Sequence, residues 1–237
     1  MSAFFSVYSG LDREGPGCPE DVLWALEVAG TPDRARICDA GCGSGADSAT
    51  LAEARRDARI VSVEQAEPLA REAKERLARF GARVETRQND MARLDGAFDL
   101  IWCAGALYFL GVTEGLSGWR SNLAPGGAIA FSEPCAIAGA ETGATQRFWA
   151  DYPALTDLAG IEARVRAAGF APLGHRIIVG PPWARYYASL ERRIAALRKG
   201  RPDAEVRQVL DAAEAEIAAW RQAPEAIAYA LLVVRPE

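Results

Sequence analysis

The sequence is poor in the residues that build metal centres and histidine-dependent catalytic sites. Its 237 residues include one histidine, His175, and five cysteines, none of which forms a CxxC pair. The cysteines are Cys18, Cys38, Cys42, Cys103 and Cys135. A zinc site or a catalytic triad is hard to assemble from this set, so we expect no metal and mostly buried, free thiols.

Positive charge and long apolar runs are also scarce. The chain has 27 basic and 32 acidic side chains and a net charge of −5, which disfavours nucleic acid and anionic membranes as partners. The longest uncharged stretch, Leu100 to Thr113, is too short to span a bilayer. The N-terminus lacks the basic and apolar regions of a signal peptide, so we expect a cytoplasmic protein.

Short β-rich runs alternate with helical patterns between residues 35 and 135, which predicts βαβ units and a parallel sheet. The predicted strands of this part are residues 35–40, 59–64, 82–87, 98–103 and 128–131. Beyond it, the pattern predicts helices at 141–152 and 155–168, a strand at 170–179, two amphipathic helices within 181–225 and a last strand at 226–235.

The most informative segment is a glycine-rich turn between the first strand and the first helix of this alternation. Gly41, Gly43 and Gly45 would let backbone N–H groups approach a ligand at the carboxyl end of the sheet, so a nucleotide-like ligand is the first hypothesis. The spacing Gly41-x-Gly43-x-x-Ala46 also satisfies the GxGxxG/A pattern of dinucleotide sites. The glycines therefore leave a nicotinamide cofactor open.

Three acids refine this hypothesis. Asp39 stands two residues before the first glycine, where its carboxylate would repel a pyrophosphate and attract a ligand with a cationic amino group. Glu64 ends the second strand and can accept hydrogen bonds from both ribose hydroxyls, a role that nicotinamide sites share. Asp90 follows the third strand, where it can accept from an adenine amino group.

Five segments in order carry a resemblance to a known family. They are residues 37–45 (ICDAGCGSG), 63–67 (VEQAE), 88–90 (QND), 98–109 (FDLIWCAGALYF) and 123–134 (LAPGGAIAFSEP). In these segments the chain resembles the class I S-adenosylmethionine-dependent methyltransferases. The flanking residues 8–17, 168–170 and 181–187 are similar to a group of poorly characterised bacterial small-molecule methyltransferases.

The resemblance implies an α/β fold: a Rossmann-like, seven-stranded methyltransferase sheet with the last strand antiparallel and helices on both faces. A helical hairpin is expected as an insertion between the last two strands. The whole chain, 1–237, would form a single methyltransferase domain. Its parts would be an N-terminal cap segment (1–34), a cofactor-binding core (35–135), a helical lid (136–169) and the inserted hairpin (181–225).

The resemblance also implies S-adenosyl-L-methionine as cofactor and S-adenosyl-L-homocysteine as product. The residues that would hold the cofactor are Asp39, Gly41, Gly43, Glu64, Gln65, Asp90, Met91, Cys103 and Ala104. Because the sulfonium is a strong electrophile, methyl transfer chiefly requires an acceptor held in line and the exclusion of water. A base is needed only when the acceptor is protonated, so the scarcity of histidine is no obstacle.

Two residues are candidates for a catalytic role beside the acceptor. Tyr108 follows the fourth predicted strand and Glu133 follows the fifth. Their structural alternatives are a core aromatic under the next helix for Tyr108 and a cap of the next segment for Glu133. His175 lies in the predicted sixth strand, away from the crevice, and is not expected to be catalytic.

Aromatic residues mark the segments added to the core. A lid lined by them would suit an apolar or aromatic acceptor, whereas the structural alternative is that they attach the added helices to the sheet. They are Trp149, Tyr152, Trp183, Tyr186 and Tyr187. The hairpin could instead form a homodimer interface.

The expected function is transfer of a methyl group from S-adenosylmethionine to a small-molecule acceptor by in-line displacement. Residues 98–109 lack the Asn-Pro-Pro-Tyr type of sequence found in amino-methylating DNA enzymes, which favours a small acceptor. The alternatives are an NAD-dependent oxidoreductase and a non-catalytic S-adenosylmethionine-binding regulatory protein. A metalloid methyltransferase would require Cys18, Cys103 and Cys135 to converge.

Overall fold

A mixed sheet runs through the chain, whose computed structural model describes residues 3–237. The first two residues of the predicted cap segment lie outside this range. Within it the sheet has eight strands in the order β3-β2-β1-β4-β5-β8-β7, with β6 paired to β5 off this path. The strands are β1 (Arg36–Ala40), β2 (Arg59–Glu64), β3 (Val84–Gln88), β4 (Phe98–Ala104), β5 (Leu123–Ala136), β6 (Thr156–Asp157), β7 (Phe170–Ile178) and β8 (Ile227–Pro236).

The strands from β1 to β5 pair in parallel, as expected for strands that alternate with crossover helices. The last strand, β8, is antiparallel to both of its neighbours, β5 and β7. The predicted sheet with an antiparallel last strand is confirmed. The short β6 was not predicted, because two residues carry no alternating hydrophobic pattern.

Helices cover both faces of the sheet, also as predicted. They are α1 (Ala3–Tyr8), α2 (Pro19–Val28), α3 (Ala46–Ala54), α4 (Glu67–Leu77), α5 (Val112–Trp119), α6 (Gly143–Phe148), α7 (Leu158–Ala167), α8 (Pro181–Lys199) and α9 (Ala204–Trp220). The alternation of side chains along β4 divides the core into two layers. Leu100 and Trp102 pack in the layer of α2, α3, α8 and α9, and Ile101 and Cys103 in that of α5 and α7.

Two helical segments after residue 135 are shorter than predicted. Helix α6 covers only Gly143–Phe148, because Thr142 caps its start and the chain leaves the helix at Trp149. Helix α7 begins at Leu158, where the side chain of Asp157 accepts a hydrogen bond from the backbone of Gly160. Helix α8 begins earlier than its apolar stripe predicted. It starts at Pro181, because proline is well accommodated in the first turn of a helix.

The largest correction concerns the fifth strand, which was predicted to end at residue 131. It continues to Ala136, because β8 pairs with it as far as Ala136↔Ile227. Glu133 therefore lies inside β5, opposite Ala230, and not beyond the end of the strand. Among the described residues, no helix combines the length and apolar content that a bilayer crossing requires.

Candidate functional site

The glycine-rich turn lies between the end of β1 and the start of α3, as the sequence predicted. Gly41, Gly43 and Gly45 have φ angles of 75°, 54° and 83°, in the left-handed region that favours glycine. A Cβ on Gly41 would lie 2.7 Å from the Cβ of Ala106. Glycine is therefore required at position 41 for two reasons. Its φ is positive, and the turn packs closely against the segment after β4.

Glu64, the last residue of β2, connects the glycine-rich turn to the residues that follow β2. Its two carboxylate oxygens accept hydrogen bonds from the backbone N–H of Gly43 at 3.0 Å and of Ala66 at 2.8 Å. A carboxylate offers about four lone-pair sites, so both oxygens retain acceptor capacity. The backbone thus fixes this carboxylate at the carboxyl end of the sheet while leaving it able to accept further donors.

Asp39 lies deeper, at the end of β1, with 2% of its surface exposed. The Ser48 hydroxyl donates a hydrogen bond of 2.6 Å to its Oδ2. Burial raises the pKa of Asp39 to about 8, and the nearby carboxylate of Asp47 adds to the effect. A cation bound beside Asp39 would favour its ionised form and lower this pKa.

A segment that sequence patterns did not single out for chemistry crosses the turn. We call residues 9–18 the N-terminal strap. Glu14 of the strap accepts a hydrogen bond from the backbone N–H of Ser44 at 3.0 Å, while its buried Oε1 has no hydrogen-bond partner. Arg13 donates two hydrogen bonds, of 2.9 and 2.8 Å, to the carboxylate of Asp47.

The strap is also attached to α4, because Arg76 donates to the backbone carbonyls of Leu11 and Asp12. Burial raises the pKa of Glu14. The sequence signal that could have identified the strap is its pair of adjacent opposite charges, Arg13 and Glu14, in a stretch otherwise rich in glycine and proline.

The other predicted cofactor residues lie at the ends of β2, β3 and β4. The Asp90 carboxylate accepts from the backbone N–H of Ala92 at 2.8 Å, and the carbonyl of Met91 accepts from the Trp119 indole at 2.8 Å. The Gln65 carbonyl faces the side-chain amide of Gln88 at 3.5 Å.

Cys103 is fully buried, and Ala104 ends β4. The following residue, Gly105, donates its backbone N–H to the Ser132 hydroxyl at 2.8 Å. The Met91 sulfur comes within 3.3 Å of the position that a Cβ on Gly41 would take. The topology thus gathers the predicted set at one edge of the sheet, and its role in cofactor binding stays a prediction.

Aromatic rings cluster where β5 and β8 meet α6 and α8. Trp149 is at the centre, with ring centroids of Tyr152, Trp183 and Tyr229 at 6.4, 6.2 and 6.2 Å. Tyr108 lies 5.9 Å from Tyr152. We call these five residues the aromatic cluster. Tyr229 was missed because it lies inside an apolar strand pattern.

Tyr186 and Tyr187 continue from this cluster into the core between α8 and α9, where the ring of Tyr187 lies 6.0 Å from that of Trp183. Tyr187 packs 5.1 Å from Trp220 and donates its hydroxyl to Glu216 at 2.9 Å. Both tyrosines are buried, at 7% and 1% exposure. The contacts of Tyr187 fix α8 to α9, and the proposed contact of both tyrosines with an acceptor stays a prediction.

Glu133 approaches the aromatic cluster from β5 and is 1% exposed. The Tyr152 hydroxyl donates a hydrogen bond to its Oε1, and the Arg164 guanidinium lies 4.0 Å from the same oxygen. Its Oε2 is buried and has no hydrogen-bond partner. Burial raises the pKa of Glu133 to about 7, although Tyr152 and Arg164 act in the opposite direction.

Metal-ligating side chains do not gather at this site. Among residues 3–237, no three His, Cys, Asp or Glu side chains are arranged to hold a metal ion. The three cysteines that a metalloid methyltransferase would need are therefore not brought together. His175 lies on β7, with its Nδ1 3.8 Å from Glu162 and its side chain 45% exposed.

Comparison with known proteins agrees with this geometry. Residues 37–127 match the family model described as a methyltransferase domain. A solved S-adenosylmethionine-dependent methyltransferase from Thiobacillus denitrificans, in complex with S-adenosylhomocysteine, superposes with a TM-score of 0.86 at 20% identity over 100% of both chains. The corresponding complex from Geobacter sulfurreducens gives 0.85 at 20% identity over 99% of this chain and 98% of that one.

A curated relative from Synechococcus sp., an uncharacterized protein, is 38% identical over 102 residues. The match covers 40% of this chain and 24% of the relative. The chain thus spans about a quarter of the length of the curated relative that it matches.

Proposed function

Because this chain carries a methyltransferase domain within the fold of the class I S-adenosylmethionine-dependent methyltransferases, we propose that it transfers the methyl group of S-adenosylmethionine to a small-molecule acceptor. The cofactor would bind at the glycine-rich turn. The acceptor would bind beside the ends of β4 and β5, next to the aromatic cluster.

The main support for the proposal is the nature of the groups that are hydrogen-bonded to the glycine-rich turn. The backbone N–H groups of Gly43 and Ser44 already donate to the carboxylates of Glu64 and Glu14. In a dinucleotide site such N–H groups bind the pyrophosphate, which these two carboxylates would repel. A ligand that carries positive charge fits the same surroundings, and S-adenosylmethionine has a sulfonium and an ammonium group.

The residues present fit that cofactor in three respects. Glu64 retains lone pairs for ribose hydroxyls, and the unpartnered Oε1 of Glu14 can accept from an ammonium group. Asp39 would be ionised by a neighbouring cation. Asp90 and Met91 would contact the adenine from the end of β3.

When bound, the cofactor supplies an electrophilic methyl group on its sulfonium. The chain would contribute orientation and exclusion of water. Tyr108 and Glu133 would be in reach of an acceptor beside the aromatic cluster, and the strap contacts the turn through Glu14 and Ser44. A small acceptor is supported by the net charge of −5 and by the aromatic lining of the region.

Isothermal titration calorimetry with S-adenosylhomocysteine tests the cofactor site. We expect saturable binding by the full chain and a loss of about tenfold or more in Glu64→Gln, because charge-assisted hydrogen bonds contribute about 1.5–3 kcal/mol. Glu67→Gln, an exposed change at the start of α4, is the matched control and should bind normally. No binding of S-adenosylhomocysteine together with tight binding of NADH would contradict the proposal.

A further inference from the structure

We propose that the acceptor is a small primary or secondary amine, which binds as its ammonium ion between the aromatic cluster and Glu133 and transfers a proton to this carboxylate before it is methylated. The inference rests on the proposed function and adds the chemical class of the substrate. It also assigns Glu133 a definite task, that of general base.

The first support is the unpaired oxygen of Glu133. A carboxylate oxygen buried without a hydrogen-bond donor is costly, so the site is complete only when a donor binds there. The Tyr152 hydroxyl and the Arg164 guanidinium both approach Oε1, not Oε2. Arg164 also donates to the Ala154 carbonyl at 2.6 Å, which holds it away from the second oxygen. An ammonium N–H supplies the missing donor.

The second support is the kind of side chain near the Glu133 carboxylate. The aromatic cluster begins at Tyr152, which bonds Glu133, and continues through Trp149 to Trp183 and Tyr229. Aromatic rings attract cations through their negative faces, and this attraction is larger where water is excluded. A carboxylate set beside aromatic rings therefore favours a cationic ligand over an anionic one.

The third support is that the tyrosines and cysteines around Glu133 carry no charge of their own. Besides Arg164, the titratable groups that interact with Glu133 are tyrosines and cysteines. They are Tyr108, Tyr152, Tyr229, Cys103 and Cys135. Burial raises the pKa of each, so all five are neutral near pH 7. Glu216 and Asp157 also act on members of this set, but at a distance. Glu133 is the carboxylate that a residue of the aromatic cluster bonds directly.

Low polarity also explains why an amine suits this base better than a hydroxyl acceptor does. Proton transfer from an ammonium to a carboxylate converts two charged groups into two neutral ones, which burial favours. Transfer from a hydroxyl only moves the negative charge from one oxygen to another. A carboxylate or phosphate acceptor would be repelled by Glu133 itself.

The reaction balances in atoms and electrons. An N–H bond of the ammonium breaks, its proton goes to Glu133 Oε2, and the electron pair stays on nitrogen. That pair forms the new N–CH3 bond while the C–S bond of the cofactor breaks, and the electrons of the broken bond remain on sulfur. The products are an N-methylated ammonium ion and S-adenosylhomocysteine, and Glu133 returns its proton to water.

Chemical blocking of amines provides the test. The full chain is incubated with methyl-labelled S-adenosylmethionine and the small molecules of a deproteinised bacterial extract, with and without prior acetylation of the extract. Hydroxylamine treatment then removes acetyl groups from oxygen and sulfur but leaves acetylated amines blocked. We expect labelled product from the untreated extract and a loss of at least tenfold after blocking.

The outcomes separate the two proposals. Labelled product that survives amine blocking overturns the amine inference and leaves the methyltransferase proposal intact. Binding of S-adenosylhomocysteine without any labelled product also overturns the amine inference. Absence of S-adenosylhomocysteine binding in a parallel calorimetric titration contradicts the proposed function itself.

Two variants test the role of Glu133 with the amine product as readout. Glu133→Gln should lower kcat by about 10²–10⁴, the usual contribution of a general base, whereas the exposed Glu114→Gln should not. Tyr152→Phe keeps the carboxylate but removes the hydrogen bond that lowers its pKa, so the acidic limb of the pH–kcat profile should move to higher pH. An unchanged profile in Tyr152→Phe and full activity in Glu133→Gln would refute the assignment.

Discussion

Cofactor binding should release a proton from Asp39. Burial raises the pKa of this carboxyl to about 8, so most of the free protein carries the proton at pH 7. A cationic group bound beside Asp39 lowers that pKa, and the proton leaves when the ligand binds. The structure therefore predicts a net release of up to one proton per S-adenosylhomocysteine bound at pH 7.

The affinity for S-adenosylhomocysteine should therefore depend on pH. Below about pH 8 the ligand must displace a proton, so the Kd should increase as the pH falls from 8 to 6, by up to about tenfold for each pH unit. Above pH 8 the carboxyl is already ionised and the Kd should level off. Asp39→Asn has no proton to lose, so its weaker binding should not depend on pH in this range.

Calorimetry in two buffers of different ionisation enthalpy measures the released protons directly. Asp39→Asn can still accept the Ser48 hydroxyl, so its fold should be kept, and circular dichroism checks this. Glu133→Gln is the matched control, because it removes another buried acid outside the turn and should release as many protons as the parent. Proton release near zero in the parent, or equal release in Asp39→Asn, would refute the reasoning.

Three further predictions concern the turn, the strap and the helical hairpin. Gly41→Ala should destabilise the protein by about 1–3 kcal/mol more than Gly126→Ala in urea unfolding, because both have positive φ but only Gly41 meets Ala106 at 2.7 Å. Glu14→Gln should weaken S-adenosylhomocysteine binding about tenfold in calorimetry, because Oε1 loses its charge; an unchanged Kd would exclude this contact. Leu190→Ala should cost about 2–5 kcal/mol in urea unfolding, since Leu190 is fully buried, whereas the half-exposed Leu173→Ala should cost much less. Equal costs for these two leucine variants would mean that the hairpin does not share the core.

Much of the sheet could be predicted because its central strands are apolar on both sides. Leu100 and Trp102 serve one layer of the core and Ile101 and Cys103 the other, which produces a continuous apolar run. The glycine-rich turn could be located because its φ values leave little choice of residue. The antiparallel position of the last strand came from the family resemblance, since periodicity does not reveal strand direction.

The parts that could not be predicted depend on contacts between distant segments. The contact between Glu14 and Ser44 joins residues 30 positions apart, and a Gly/Pro-rich segment has no periodicity to reveal it. Glu133 was expected just past the end of its strand, because the extension of that strand depends on pairing with β8, which begins 94 residues later. Tyr229 has the same apolar pattern as its neighbours, so its place in the aromatic cluster follows only from the fold.

Acceptor-dependent conversion of S-adenosylmethionine to S-adenosylhomocysteine is the measurement that tests the central claim most directly. The full chain is mixed with the cofactor and the deproteinised extract, and both S-adenosylhomocysteine and methylated products are quantified by mass spectrometry. We predict one methylated product molecule for each S-adenosylhomocysteine formed, with both reduced in Glu64→Gln at cofactor concentrations below its Kd and unchanged in Glu67→Gln. Formation of S-adenosylhomocysteine no faster than without the protein, despite normal cofactor binding, would contradict the account and favour a non-catalytic S-adenosylmethionine-binding protein.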